Sequence, residues 1–298
     1  MKKKEDILLL PTQPSQWRII QVVTTNSIPS STSPFENYND FVRETLCPIA
    51  LLTVNFRTNK GEIKILCYAD DAVLISENED ELQRLLHRFY LSAKKYNMVI
   101  STEKTKSLVV SKDPIRCKLA INDIIIEQVM SFRYLGVEIS SNQNREADNR
   151  AQVNKAARVS GCLKDIIWKN KYMNPTSKVK IYKTCVRPIM TYAAETTSET
   201  YRTKTNKRTA EMAILRNING STLRDRVRSS DIRKSLEIQD VVRWVRERRR
   251  AWNDHISRMD TSRIVKISKE GIPGTNRPPG RPPKRWMDSW TSTSQEAN

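Results

Sequence analysis

Ile63-Lys64-Ile65-Leu66-Cys67-Tyr68-Ala69-Asp70-Asp71-Ala72-Val73-Leu74-Ile75 is two apolar runs joined by Tyr-Ala-Asp-Asp, with neither Gly nor Pro between them. The β-branched residues on each side predict two strands and a tight hairpin. Adjacent carboxylates repel, so Asp-Asp at a hairpin tip is a poor choice for stability. It is a good choice for chemistry. Two consecutive carboxylates held rigidly at a sheet edge suit a hard divalent cation such as magnesium, which takes oxygen ligands.

The pattern continues downstream. Asn78-Glu79-Asp80-Glu81 predicts a helix start with acid in its first turn. Leu82, Leu85, Leu86, Phe89, Tyr90 and Ala93 then recur at helical spacing, giving one apolar face. Leu108-Val109-Val110 predicts a strand, and residues 119–126 a hairpin turning at Asn122-Asp123. Residues 132–139 alternate into one further strand, broken at Gly136. After Ser141 the strand signals stop. Helices are expected over roughly 147–168, from Pro175 to Pro188, over 209–218 with Gly220 as the stop, and from Asp240 along the stripe Val241, Trp244, Val245, Arg248, Trp252, Ile256 and Met259.

Upstream, residues 1–45 show no sustained period and contain a Ser/Thr/Pro stretch at 28–34. They are expected to be poorly organised, with order beginning near Ile49. Residues 271–283 are rich in Gly and Pro and predict a flexible basic tail.

The chain has 298 residues and a formal net charge of +19. Mean hydropathy is −0.60. The longest apolar stretch, 48–54, is far short of the ~20 residues that span a bilayer. The basic start Lys2-Lys3-Lys4 leads only to the short run 7–10, which does not make a secretory signal. The five cysteines are scattered without a CxxC pair, so reduced and mostly buried thiols in an intracellular protein are expected. Charge is unevenly placed. Residues 61–140 sum to −1, whereas residues 141–298 sum to +18. That excess repels itself on folding, and a polyanion such as nucleic acid relieves it.

Tyr68-Ala69-Asp70-Asp71 is the Y-x-D-D motif of reverse transcriptases, and residues 63–141 resemble the rear of the palm in reverse transcriptases of non-LTR (LINE-type) retrotransposons. Residues 93–105, ending Lys104-Thr105, resemble the motif that follows the catalytic hairpin. Phe132-Arg133-Tyr134-Leu135-Gly136 resembles the turn before the thumb. The likeness runs on through Arg187-Pro188-Ile189-Met190-Thr191-Tyr192-Ala193-Ala194-Glu195 and Trp252-Asn253-Asp254-His255-Ile256, to Gly280-Arg281-Pro282-Pro283-Lys284-Arg285-Trp286.

That resemblance implies an RNA-directed DNA polymerase using magnesium, or manganese in its place, on an RNA template, a DNA primer or target DNA, and deoxynucleoside triphosphates. It implies a nuclear location and no membrane. It makes Asp70 the main metal ligand and Asp71 the supporting one. Tyr68 would pack by the primer end, and Lys104 would protonate the leaving pyrophosphate. Tyr134 and Gly136 would shape the primer grip. Arg246, Arg249 and Arg250, on a helix with Trp244 and Trp252, would track phosphates. Arg281, Lys284 and Arg285 lie in a tail that resembles an AT-hook core, with Pro279 standing where its first arginine would be. The expectation there is a general phosphate contact.

Two parts of the family pattern are missing. A further Asp on an earlier strand should complete the metal site, yet Asp6 and Asp40 are the only aspartates before Asp70 and neither has the expected neighbours. The Gln-Gly segment that contacts the incoming nucleotide is also missing from residues 1–60. A truncated form, weak or inactive by itself, is therefore expected; the alternative is a non-catalytic nucleic-acid-binding remnant. The expected fold is α+β: a partial palm over 46–140, a basic helical thumb and C-terminal region over 141–270, and a tail over 271–298.

Overall fold

The computed structural model describes residues 17–26, 64–68, 71–111, 114–142, 145–197 and 199–270. They form a mixed α/β structure with two compact units. One lies before Arg145, with residues 260–270 grouped to it; the other runs from Arg145 to Met259.

The first unit is built on a sheet. Strand β1 is Trp17–Asn26, β2 is Ile65–Tyr68 and β3 is Asp71–Ser76. Helix α1 (Glu79–Lys95) follows, then β4 (Met98–Ile100) and β5 (Lys106–Val110). Two short strands, β6 (Ala120–Ile121) and β7 (Ile124–Ile125), form a separate hairpin, and β8 is Glu127–Gln128. The sheet order is β2-β3-β1-β5-β8, with β4 added to β1 beyond β5. Among the described residues only the β5–β8 pair is parallel.

Alternation along β1 explains how one strand serves two layers. Ile20 and Val22 join Ala72 and Leu74 under α1, where Leu82, Leu86, Phe89 and Ala93 are buried. Ile19 faces the other way with Val73, Ile75, Leu108 and Val110. Strands β9 (Ser131–Tyr134) and β10 (Val137–Ser140) cover that second face through Phe132, Tyr134 and Ile139. Each large apolar side chain so buried contributes about 1.5–3 kcal/mol relative to exposure.

Two expectations for this unit are corrected. The segment expected to be poorly organised holds β1, the strand at the centre of the sheet. Trp17-Arg18-Ile19-Ile20-Gln21-Val22-Val23-Thr24-Thr25 has the β-branched composition of a strand buried on both faces, where apolar and polar residues need not alternate strictly. Residues 131–140 are a hairpin, not one broken strand. Leu135 (φ 48°) and Gly136 (φ 84°) make a two-residue turn with both backbones left-handed. The onset of order near Ile49 lies outside the described residues.

The second unit is helical. Helix α2 (Arg145–Cys162) leads into a π-helical turn, Lys164–Trp168. Helix α3 (Pro175–Ile181) runs through a second π turn (Tyr182–Val186) into α4 (Arg187–Met190). Pro188 therefore does not end the helix. It sits in the first turn of α4, where its missing N–H costs nothing, and the π turn before it absorbs the ring. Helix α5 (Tyr201–Asn219) starts eight residues before the expected Thr209, because Thr200 and Thr203 form a reciprocal capping box. Gly220, at φ 74°, ends it as expected. Helices α6 (Ser229–Ser235) and α7 (Val241–Ser257) follow, the latter capped by the Asp240 side chain. Helix α8 (Ile264–Glu270) belongs to the first unit.

Trp168, Val179, Tyr182, Val186, Leu215, Val241 and Val242 build this core. Lys178 lies buried with its ammonium on the Trp168 carbonyl (2.7 Å), which closes the first π turn. The thiols are less uniform than expected. Cys117 is buried, Cys67 half-buried, and Cys162 and Cys185 exposed. Burial pushes Cys67 up to about 12 and Cys117 up to about 11, so both stay protonated thiols.

Candidate functional site

The candidate site lies at the Tyr68–Asp71 turn between β2 and β3, beside Val23 of β1, which runs on three residues to pair with β4. Tyr68 pairs with Asp71 across the β2–β3 hairpin, and Val23 of β1 stands opposite Asp71 on its other side. Opposite residues of an antiparallel pair share one face of the sheet. Tyr68, Asp71 and Val23 therefore form one row. Tyr68 is 40% exposed and Asp71 half-buried, so the row opens to solvent at its outer end. Asp70 lies outside the described residues, between Tyr68 and Asp71 in sequence.

The same end of β1 receives the turn that carries Lys104. Ser101 donates its N–H to the Val23 carbonyl (2.9 Å). Thr105 closes the turn, its N–H and its hydroxyl both on the Ser101 carbonyl at 2.9 and 2.7 Å. Lys104 is exposed between them. Sequence-distant residues 23, 68, 71 and 104 thus meet at one end of the sheet.

Tyr134 and Gly136 sit nearby on the covering hairpin, which Gln21 ties to β1 by donating to the Arg133 carbonyl (3.4 Å). Tyr134 is 2% exposed, so its ring supports the turn from within the core and does not itself present a surface. Leu135 next to it holds a left-handed backbone at a cost of about 1–2 kcal/mol for an L side chain. Strain of this kind collects at functional turns.

The row does not fit a two-metal centre. Such a centre needs carboxylates converging on two ions about 4 Å apart. Opposite Asp71, β1 contributes Val23, with Gln21 and Val22 before it, and none of these is an acid. Among the described residues, no three His, Cys, Asp or Glu side chains come together as a metal cluster.

The basic helix α7 also departs from expectation. Arg249 is 2% exposed. Its guanidinium donates to the carbonyls of Ala194 (2.8 Å) and Thr197 (2.7 Å) and to the Glu199 carboxylate (3.1 Å). Every face of the fork is used inside the protein, so Arg249 is not a phosphate contact. Glu199 also holds the buried Lys207 at 3.1 Å. Burial pushes the Glu199 carboxyl up, but Lys207 and Arg249 outweigh it and leave the group below its ordinary 4.5. Arg243 pairs with Glu247 and Arg248 with Glu195, while Arg187 and Arg248 lie over the Trp244 ring at 4.4 and 5.7 Å. Arg250 remains exposed, and Arg246 is half-buried. Trp244 is thus a seat for arginines of this unit. Arg281, Lys284 and Arg285 lie outside the described residues.

A further buried charge, Glu211, was not singled out in the sequence. It is fully buried, accepts from the Tyr182 hydroxyl (3.1 Å), the Arg233 guanidinium (3.0 Å) and the Val241 N–H (3.2 Å), and so anchors the start of α7. Its only sequence signal is its place on the apolar face of α5, beside Met212, Ile214 and Leu215.

Comparison with known proteins agrees with the motif order. Residues 33–139 match the reverse transcriptase (RNA-dependent DNA polymerase) family. The chain is similar to a transposon-derived protein of Caenorhabditis elegans, 26% identical over 244 residues, which is 78% of this chain and 86% of that protein. It is also similar to the RNA-directed DNA polymerase from the mobile element jockey of Drosophila funebris, 27% identical over 206 residues. That match takes in 66% of this chain and 22% of the polymerase, so the chain spans well under a quarter of that protein. The resemblance to reverse transcriptases of non-LTR retroelements stands.

Proposed function

From this likeness to mobile-element reverse transcriptases we propose that the chain is a nucleic-acid-binding protein of polymerase descent, with little or no nucleotidyl transfer of its own. The observation that carries the reading is the pairing of Val23 with Asp71. The strand beside the carboxylate hairpin is apolar or uncharged where a third carboxylate is needed. Asp70 and Asp71 alone would hold a single divalent cation, magnesium or manganese, weakly.

The remaining parts suit a bound template and primer. Tyr68 offers a half-exposed ring beside Asp71. Lys104 supplies a cation at the same sheet end, and the Leu135-Gly136 turn offers a rigid edge. Arg246 and Arg250 and the tail residues Arg281, Lys284 and Arg285 are proposed phosphate contacts, and a nuclear location follows from the retroelement reading. The helical unit stands as the thumb-like part of the chain.

The test is fluorescence anisotropy of the full chain on a labelled RNA·DNA hybrid duplex. Binding should weaken linearly in log K against log salt, with a slope of about −0.9 per phosphate neutralised. An affinity that ignores salt, or no binding at low salt, contradicts the reading.

A further inference from the structure

The arginine-rich helix α7 does not offer all of its charge to a partner. Arg249 is buried, and Arg243 and Arg248 are in ion pairs. The loop between α5 and α6, Ser221-Thr222-Leu223-Arg224-Asp225-Arg226-Val227-Arg228, is the opposite case. Residues 222–228 are all exposed. Among the described residues, the side chains of Arg224, Arg226 and Arg228 have no ion-pair or hydrogen-bond partner.

This loop has a defined shape. Gly220 breaks α5 in a left-handed conformation, and Ser221 bonds back to the Arg216 carbonyl (3.0 Å). The Asp225 carboxylate accepts from the Thr222 N–H (2.6 Å). Arg226 is held at φ 52°, a region that L side chains avoid. Ile232 then returns the chain to the core by bonding to the Arg228 carbonyl (3.2 Å). Three unpaired guanidiniums are thus displayed within five residues on a constrained turn. One of them is in a strained backbone, which is the mark of a working loop more than of a solvated linker.

We propose that residues 221–228 form a duplex-phosphate contact of the helical unit, in addition to the one proposed for Arg246 and Arg250. The inference rests on the nucleic-acid reading above and gives that reading a location. Guanidiniums bind phosphate oxygens through paired N–H donors. The loop has no aromatic residue, so it has no ring on which an unstacked base could lie. Its exposed apolar side chains, Leu223 and Val227, at 77% and 39%, offer no base-edge hydrogen bonds. A base-paired backbone, read without regard to sequence, is the partner this chemistry fits.

The test compares the full chain with Arg224→Ala/Arg226→Ala/Arg228→Ala, using anisotropy on an RNA·DNA hybrid duplex and on a single-stranded oligonucleotide across a salt series. Far-UV circular dichroism should not change, because all three side chains are exposed. On the duplex the salt slope should become shallower by up to about 2.7 units, and affinity near physiological salt should fall about tenfold or more. The Arg243→Ala chain, which loses a charge already paired with Glu247, should keep the parent slope. A parent that binds duplex and a triple variant that binds it with the same slope would overturn this inference and leave the nucleic-acid reading intact. A loss confined to the single strand would overturn the duplex assignment. A parent that binds neither probe at low salt would overturn both.

Discussion

Val23 on β1 stands directly opposite Asp71 on β3, and their side chains share one face of the sheet. On the proposed reading this is the position where a third carboxylate would stand. Val23→Asp should supply a carboxylate next to the Asp70-Asp71 pair. Manganese binding, followed by the relaxation of water protons, should tighten about tenfold or more in that variant, as extra charged oxygen ligands strengthen hard-cation sites. Unchanged binding would mean that the β1 end does not converge with the hairpin carboxylates.

Leu86 reports on the sheet–helix core. It is fully buried among Ile20, Leu74 and Phe89. Leu86→Ala should cost about 2–5 kcal/mol in chemical denaturation, from lost transfer energy and the cavity left behind. A change near zero would mean that α1 does not pack on this sheet.

Arg249 makes the opposite prediction to that of a surface arginine. Arg249→Ala leaves Glu199 with one partner in a buried site, and removing one member of a buried pair costs about 3–5 kcal/mol. If Arg249 were a surface phosphate contact, stability would hardly change and nucleic-acid affinity would fall instead. Thermal unfolding and anisotropy on the same variant separate the two outcomes.

The same cluster sets a pH dependence. Glu199 has its folded pKa held below the ordinary 4.5 by Lys207 and Arg249 in spite of burial. A carboxylate with a lowered folded pKa contributes stability that is present above its unfolded value and is lost as pH falls through the folded one. Urea unfolding should therefore weaken below about pH 4.5. Glu199→Gln should be less stable at neutral pH and lose less on acidification. An equal acid loss in both proteins would place the sensitive carboxylate elsewhere.

The hairpin, α1, β5 and the Asn122-Asp123 turn were legible because each carries its own local pattern: β-branched runs, helical spacing, and an Asn-Asp pair with φ 46° and 65°. Strand β1 was not. Its β-branched run is a local signal, but its partners β3 and β5 begin about 45 and 80 residues after it ends, so no local window shows its place at the centre of the sheet. The Leu135-Gly136 turn was hidden for a related reason. Leucine rarely takes a left-handed backbone, so residues 132–139 read as one strand with a flaw. The π turns at 164–168 and 182–186 have no sequence signature. Each buries an aromatic ring in the core, Trp168 in the first and Tyr182 in the second.

For the site, the Asp-Asp pair, Tyr68 and Lys104 could be found from residue type and order. The fate of the arginines could not, because Glu195, Glu199 and Glu247 decide it through tertiary contacts. The five arginines of α7 look equally basic in sequence, and only packing separates the buried Arg249 from the exposed Arg250.

On the proposed reading the Tyr68–Asp71 hairpin is one carboxylate short of a working polymerase centre. Primer extension by the purified chain on poly(rA)/oligo(dT) with magnesium tests it most directly. The account predicts no product above background, and none with manganese. Extension that disappears in Asp70→Ala would contradict it, because a further carboxylate would then have to complete the site.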